Sequence, residues 1–435
     1  MAPKILVLDD DPTGSQTVHS CLLLTQWDPA TLLVGLRDSS PLLFILTNTR
    51  ALTPERAAQT TREVCRNLKQ ALRVAGITDF LVVSRSDSTL RGHYPLETDG
   101  IAEELGPFDA HFLVPAFFEG GRVTRGSIHY LYVQGVPTPV HETEFAQDSV
   151  FGYHHSYLPD YVAEKTGGRI PADQVERFLL ADLRAGVQTR LLGLQGNRCV
   201  VVDGEIQSDL DQFAAAVLAA VAQGKRFLFR SGASLITALA HLPPQPVPAE
   251  AMANYVRGGA GAVLVGSHVK KTTAQLTQLL QAQGTVPIEV PVARLLETDQ
   301  APLLLAEILA KAHAAHYQGL TPVIFTSRTE LMFADTQTRL QFGEEVSQLL
   351  MQVVQGLPLT LGFLISKGGI TSNDVLSKGL NLPMARLLGQ VLAGCSVVCS
   401  PADHPRFPEL PVVLFPGNVG DDQALATVYH RLSQT

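Results

Sequence analysis

A chain of 435 residues, 46% hydrophobic and 17% charged, carries enough apolar material for two cores, and its length suits two domains of about 200 residues each. A net charge of −8, with no basic run longer than Lys270-Lys271, excludes the electrostatic footprint of a nucleic-acid or anionic-membrane binder and leaves small-molecule chemistry as the default. Five scattered cysteines (Cys21, Cys65, Cys199, Cys395, Cys399) lack a Cys-x-x-Cys zinc pattern and fit reduced thiols, and Lys4 leads into a short apolar run and acidic residues rather than a secretory signal, so the expected compartment is the cytoplasm.

The first strand, Ile5–Leu8, is a short continuous apolar run of the kind that fills a buried parallel sheet. Apolar runs at Leu42–Leu46, Phe80–Val83 and His111–Val114 alternate with helical stretches such as Thr53–Val74, the order of βαβ units. Thr53-Pro54-Glu55 opens the long helix with an N-cap, a proline at the first position and an acid in the first turn. From Gly120 to Pro159 the pattern is irregular and rich in Gly, Pro, His and Tyr, which marks a substrate-facing region. Alternation resumes with a helix over Asp173–Ala185, a strand over Arg198–Val202, a helix over Ser208–Gln223 and a strand over Arg226–Phe229.

His241-Leu242-Pro243-Pro244-Gln245-Pro246-Val247-Pro248 reads as a semi-rigid linker, dividing the chain into residues 1–242, a Pro-rich linker at 243–256 and residues 257–435. The second domain restarts with a strand at Ala262–Val265, a helix at Lys271–Gln283, a strand at Ile288–Val290, a helix at Ala301–His316 and a strand at Thr321–Thr326. Val346 to Ser366 lacks charge for 21 residues, but Gln348, Gln352, Gln355, Gly356 and Pro358 break it into a helix, a turn and a strand at Leu361–Ile365 rather than a membrane span.

Chemistry concentrates behind the strands. Asp9, Asp10 and Asp11 precede Pro12-Thr13-Gly14, and three adjacent carboxylates repel one another unless Mg²⁺, Arg or Lys compensates them. After Phe80–Val83, the string Arg85-Ser86-Asp87-Ser88-Thr89-Leu90-Arg91-Gly92 combines guanidiniums for a carboxylate with an acid and hydroxyls for polyol groups. Gly121-Arg122-Val123-Thr124 is a weaker polar patch. In the second domain three strands end in glycine turns: Gly266-Ser267, Gly368-Gly369-Ile370-Thr371 and Gly417-Asn418, which offer backbone N–H groups to phosphates. No Walker A loop, protein-kinase catalytic loop or Gly-x-Gly-x-x-Gly fingerprint is present, and His141-Glu142-Thr143-Glu144-Phe145 lacks the second histidine of a zinc-protease helix.

Together these strings resemble the four-carbon acid sugar kinase family nearly end to end. Asp9–Ser15 is similar to the family's Ala-Asp-Asp-Leu-Thr-Gly-Ala, and Arg85–Gly92 to its Lys-x-Asp-Ser-Thr-Leu-Arg-Gly. Pro115-Ala116-Phe117-Phe118 with Gly121–Thr124 looks like its Pro-Ala-Phe-Pro and Gly-Arg-x-Thr, and Glu142–Phe145 like its Glu-Thr-x-Phe. Gly266-Ser267, Gly368–Thr371 and Phe415–Gly420 match its Gly-Ser, Gly-Gly-x-Thr and Lys-Ser-Gly-Asn-Phe-Gly. The departures are Pro12 for Leu, Arg85 for Lys, Phe118 for Pro and Phe415 for the last Lys. Loss of that Lys either weakens ATP binding or moves its role to Lys367 or Arg328.

The resemblance implies an α/β protein of two domains with mainly parallel sheets, the sugar acid on the first, the nucleotide on the second and the active site in the cleft between them. The expected reaction is phosphoryl transfer from ATP, with Mg²⁺, to a hydroxyl of a tetronate or oxo-tetronate. Asp10 or Asp11 would serve as base, with Asp10 near Mg²⁺, and Arg91 would join them in catalysis. Arg85, Asp87, Ser88, Thr89 and Arg122 would bind substrate, and Ser267, Gly368, Gly369, Ile370, Thr371, Gly417 and Asn418 the nucleotide. A homodimer is left open. The alternatives are a non-catalytic sugar-acid or nucleotide sensor, favoured by Phe415 and Pro416, and a kinase for another small hydroxy acid or polyol.

Overall fold

Most buried apolar runs become strands where the sequence places them, while the one expected at Leu361–Ile365 lies at Leu364–Lys367. A computed structural model describes residues 3–328, 331–333, 335–417 and 419–433, and the chain divides into two compact units, Met1–Pro244 and Gln245–Thr435. The architecture is mixed α/β with mostly parallel strands.

In the first unit the strands are β1 (Lys4–Asp9), β2 (Leu22–Leu24), β3 (Leu42–Leu46), β4 (Phe80–Arg85), β5 (Ala110–Val114), β6 (Arg122–Arg125), β7 (Ile128–Val133), β8 (Val136–Pro139), β9 (Glu176–Phe178), β10 (Arg198–Val202) and β11 (Phe227–Ser231). Eight of them form the main sheet in the order β2-β3-β1-β4-β11-β5-β10-β9, with every pairing parallel. Strand order reverses between β1 and β4, and their carboxyl ends, Asp9 and Arg85, pair directly. Such a switch point opens a crevice beyond the strand ends, where ligands of open α/β sheets bind.

The helices that cover this sheet are α1 (Pro29–Arg37), α2 (Pro54–Ala75), α3 (Leu96–Leu105), α4 (Leu158–Lys165), α5 (Leu180–Ala185), α6 (Gln188–Gly193), α7 (Gln207–Val221) and α8 (Ala233–Ala240). Helix α2 has the expected Thr53 cap and Pro54, stops at left-handed Gly76, and buries Ala57, Thr61, Val64, Cys65, Leu68, Ala71 and Leu72, one face at helical spacing. Phe112 anchors the core by stacking on Phe229 and meeting Phe178, Phe213 and Phe227 edge-on.

Two expectations need correcting. The irregular region holds an antiparallel sheet, β6-β7-β8. The helix over Asp173–Ala185 is instead a 3₁₀ turn at Ala172–Gln174, strand β9 and the short helix α5, because Glu176–Phe178 pairs in parallel with Val200–Val202 at the sheet edge.

The second unit contains β12 (Ala262–Val265), β13 (Thr285–Val290), β14 (Thr321–Thr326), β15 (Leu364–Lys367), β16 (Met384–Leu392), β17 (Cys395–Cys399) and β18 (Pro411–Phe415). Their order is β13-β14-β12-β15-β18-β17-β16, parallel as far as β18 and antiparallel beyond it. Helices α9 (Lys270–Leu279), α10 (Gln300–Tyr317), α11 (Thr336–Gly356), α12 (Gly369–Asp374) and α13 (Ala424–Ser433) flank it. Val263, Val265, Ile365, Val413, Phe415, Leu425 and Tyr429 share one core, which Met252 joins from a 3₁₀ segment at Ala249–Tyr255 in the second half of the Pro-rich stretch. Among the described residues no helix is long and apolar enough to cross a membrane.

Candidate active site

Behind β1 the three carboxylates take three different environments. Asp9 is fully buried, its Oδ2 has no partner among the described residues, and burial raises its pKa well above the ordinary value against the pull of Arg85. Asp10 is met by Arg50, with Nη2 at 2.5 Å from Oδ1 and Nε at 3.2 Å from Oδ2, and its Oδ2 also accepts from the Ser86 hydroxyl at 2.8 Å. Asp11 lies 3.4 Å from Nη1 of the same arginine and accepts from the Thr13 amide and hydroxyl. Burial opposes its charge, but Arg50 and the Thr13 bonds outweigh that and keep the carboxylate ionised. The cation that compensates the cluster is thus Arg50, which the sequence reading missed.

Close approach in this turn depends on glycine. A methyl group at Gly14 would overlap the Asp9 carboxylate, and at Gly92, where φ is +116°, it would stand 2.5 Å from Ser86 Oγ and 3.1 Å from Asp10 Oδ2.

The segment after β4 closes the other side. Asp87 accepts from Arg91 Nε at 2.6 Å and from the Thr89 hydroxyl at 2.5 Å. Burial works against its ionisation, yet Arg91 and Arg50 hold it well below the usual carboxylate range. Arg91 remains partly open to solvent, 4.9 Å from the centre of the Phe145 ring and 3.6 Å from Asp148.

The backbone of this loop is tied down by distant side chains. Tyr153 and Tyr161 donate to the carbonyls of Thr89 and Leu90 at 2.7 and 2.8 Å, and His129 reaches the Ser88 carbonyl at 2.7 Å. Because a carbonyl only accepts, His129 Nε2 carries the proton and Nδ1 accepts from the Thr124 hydroxyl at 2.9 Å. Burial keeps this ring neutral by lowering its pKa to about 4. Arg230, from β11, donates to Ser86 Oγ at 3.2 Å and to the Arg91 carbonyl at 2.9 Å. Leu90 holds a left-handed φ of +69° within this bracing.

Not every expected residue faces the crevice in the same way. Arg85 is buried and donates to the Gly14 carbonyl at 3.2 Å and the Ser86 carbonyl at 2.6 Å, so much of its hydrogen-bonding capacity goes into the wall. Ser88 and Thr89 are buried. Arg122 donates through Nη1 to the Gly120 carbonyl at 2.5 Å, while its Nε is buried without a partner among the described residues.

In the second unit the ends of β12, β15 and β18 lie side by side, with Val265 beside Lys367 and Lys367 beside Phe415. Their three glycine turns converge on Ser267. A methyl group at Gly368 would come within 3.2 Å of its Cβ, and one at Gly417 within 3.4 Å of its Oγ. Gly266 lies so close under Thr371 that a side chain there would overlap the threonine hydroxyl. Gly369 opens α12, and Ile370 beside it is exposed. Asn418 lies outside the described residues. Arg328, just past β14, donates through Nη2 to the Ser267 carbonyl and to Thr273 Oγ1, both at 2.8 Å, and its Nη1 is buried without a partner among the described residues. Lys367 is fully buried, with its ammonium on the Pro416 carbonyl at 2.5 Å and 4.1 Å from the centre of the Phe415 ring.

These facts decide what each half can hold. The glycine turns, crowded at Gly266 and Gly368, and the orphaned Arg328 donor fit an anionic ligand such as a nucleotide phosphate. In the first unit the Asp10 carboxylate is already engaged by protein donors. Both of its oxygens already accept bonds from Arg50 and Ser86, and among the described residues no group of three or more His, Cys, Asp or Glu could hold an ion.

Comparison with known proteins gives the same division. The family described as sugar-binding N-terminal domain matches residues 5–239, and the one described as nucleotide-binding C-terminal domain matches residues 262–425. The chain is 25% identical to the D-erythronate kinase of Heliobacterium modesticaldum, over 98% of this chain and 96% of that protein. It is 26% identical to the D-threonate kinase of Bordetella bronchiseptica, over 46% of this chain and 52% of that one. The fold resembles crystal structures of a Salmonella typhimurium LT2 protein (20% identity, TM-score 0.70, 99% and 98% of the two chains) and a Haemophilus influenzae protein (18% identity, TM-score 0.66, 98% and 100%). With both of its domain models matched in order along one chain, the protein belongs to the four-carbon acid sugar kinase family.

Proposed function

We propose that this protein is an ATP-dependent kinase that phosphorylates a hydroxyl of a four-carbon sugar acid, a tetronate or oxo-tetronate. The observation that carries the reading is the pairing of Asp87 with Arg91 beside the Asp10–Arg50 pair at the switch point of the first sheet. A short sugar acid presents a carboxylate and a row of hydroxyls, and this crevice presents guanidiniums and ionised carboxylates at matching reach. The D-erythronate kinase and the D-threonate kinase to which the chain is similar are named for acids of this size.

In this reading Arg91 and the orphaned edge of Arg122 take the carboxylate, and Asp87, Ser88 and Thr89 orient the hydroxyls. Asp11, more open than Asp10 and held ionised, accepts the proton of the attacking hydroxyl. Asp10 fixes Arg50 and Ser86 in place. Ser267, Gly368, Gly369 and Thr371 receive the phosphates, and Mg²⁺ enters with ATP rather than on a carboxylate cage of the protein. Transfer requires the hydroxyl held by the first unit to meet the terminal phosphate held by the second.

The test is ADP release from Mg·ATP against four-carbon sugar acids, their oxo derivatives, and five- and six-carbon acids and polyols. Release with a four-carbon acid, abolished in Asp87→Ala while ADP binding persists, is the expected result. Release only with a longer acid or a polyol would replace the acceptor. Binding of ligands without release on any acceptor would favour a sensor, a reading that rests on Phe415 and Pro416 in the last motif.

A further inference from the structure

Three cations stand near the glycine turns of the second unit, and their surroundings separate them. Lys271, at the start of α9, is exposed and donates to the Gly420 carbonyl at 3.1 Å. Lys367 is turned into the core. Its ammonium is fully buried against Phe415 and the Pro416 carbonyl. Arg328 is different in kind, because its guanidinium is fixed by three bonds and still keeps a buried donor in reserve. Nη2 holds the Ser267 carbonyl and Thr273 Oγ1 at 2.8 Å, and Nε lies 3.3 Å from the same Thr273 oxygen. Nη1 has no partner among the described residues.

A buried N–H without an acceptor is unfavourable, and few native donors are left so. Here the unpaired donor belongs to a permanent cation that grips the very residue, Ser267, on which Gly368 and Gly417 converge. A planar guanidinium clamped along one side presents its other side in a defined direction, which suits the oxygens of a phosphate better than a flexible ammonium does. Burial also works against the charge of Arg328, and an anion at Nη1 would relieve that cost.

We propose that Arg328 is the residue that binds the β- or γ-phosphate of the nucleotide, supplying the cation for the phosphates in a chain whose last motif carries Phe415 in place of lysine. The proposal rests on the nucleotide reading of this unit, and the experiment separates the two.

Calorimetry on the full-length protein compares ADP with adenosine, in wild type, Arg328→Gln, Arg328→Lys and Lys367→Met. Absence of ADP binding in the wild type would remove the nucleotide reading itself, and the proposal with it. Given binding, Arg328→Gln should weaken ADP at least tenfold and leave adenosine within twofold, with partial recovery in Arg328→Lys. Lys367→Met should bind ADP as the wild type does. Unchanged ADP affinity in Arg328→Gln overturns the proposal. So does an equal loss for ADP and adenosine, which would mark Arg328 as a prop for the Ser267 turn only. Loss confined to Lys367→Met would overturn it in favour of the buried lysine. Should Arg328→Gln fail to fold, Arg328→Lys carries the test: its ADP affinity must fall while adenosine is unaffected.

Discussion

Arg50 and Asp10 are 40 positions apart in sequence and meet through two bonds, Nη2 to Oδ1 at 2.5 Å and Nε to Oδ2 at 3.2 Å, with Asp11 within reach of the third nitrogen. One guanidinium thus neutralises two of the three carboxylates behind β1. The third, Asp9, is fully buried, and burial raises its pKa well above the ordinary carboxylate value.

Removing Arg50 leaves Asp10 buried and uncompensated. Arg50→Ala should destabilise the first unit by about 3 kcal/mol, the lower end for breaking a buried pair because Arg50 keeps some contact with solvent. Arg50→Lys should recover stability in part but not turnover, since a single ammonium cannot span both oxygens of Asp10 and reach Asp11. Urea unfolding with steady-state kinetics checks this, and wild-type turnover in Arg50→Lys would refute the bridging role.

Gly92 tests how tightly the second loop is seated. Gly92→Ala meets both a φ of +116° and Ser86 Oγ at 2.5 Å, so it should cost about 1–3 kcal/mol and reduce turnover severely. ADP binding by the second unit should be untouched. An alanine variant with normal activity would mean that Ser86 does not need its bond to Asp10.

Glu97 gives the first unit a measurable pH signature. Its carboxyl is buried beside Asp10 and receives the Thr49 hydroxyl, and burial first, then the Asp10 charge, raises its pKa from 4.5 to about 7. The folded state therefore keeps a proton that the unfolded state has released between those values. The stability contribution is fully present below 4.5 and is lost as pH rises through about 7, by ~3 kcal/mol as an order-of-magnitude figure. Glu97→Gln should abolish that slope. Denaturant midpoints at pH 5 and pH 8 decide it, and parallel profiles for variant and wild type would show that Glu97 titrates normally.

Lys367 has the opposite sign in the second unit. Burial lowers its pKa from 10.5 to about 7, so the folded state sheds its proton first and the unfolded chain binds more protons across that interval. Stability should be flat below pH 7 and rise toward pH 10, by a few kcal/mol as an order-of-magnitude figure. Lys367→Met should remove the rise. Thermal melts of both proteins from pH 7 to pH 10 are the measurement, and an undiminished rise in the variant would assign the effect elsewhere.

Much of this was legible in sequence because the chemistry is written in contiguous strings. The acidic turn, Arg85–Gly92 and the three glycine turns each follow an apolar run, and a parallel strand carries its function at its carboxyl end. What stayed hidden depends on pairings distant in sequence. Arg50 sits on an unremarked 3₁₀ turn, Thr49–Ala51, and reaches Asp10 only because β3 and β1 are neighbours. Arg230 and His129 look like ordinary core or strand residues until β11 and β7 are placed. The antiparallel strands β6 to β8 were obscured by Gly126, Gly135 and Pro137, which interrupt the alternation that identifies a strand. Arg85 stands in the string Arg85–Gly92 as a candidate substrate ligand, and only its bonds to the Gly14 and Ser86 carbonyls reveal how much of it is structural.

The three successive carbonyls of Ser88, Thr89 and Leu90 are each occupied by a ring from elsewhere in the fold, His129, Tyr153 and Tyr161. A loop pinned at every residue behaves as a mould rather than a hand. In the proposed reading an arriving acceptor would find its contacts already in position and spend little entropy on ordering them. Such a surface changes its preference by exchanging the groups it displays, one at a time, while its contour stays the same. Divergence in acceptor among proteins that keep these three braces is therefore expected in side chains such as Arg91 and Arg122, and not in the path of the backbone beneath them.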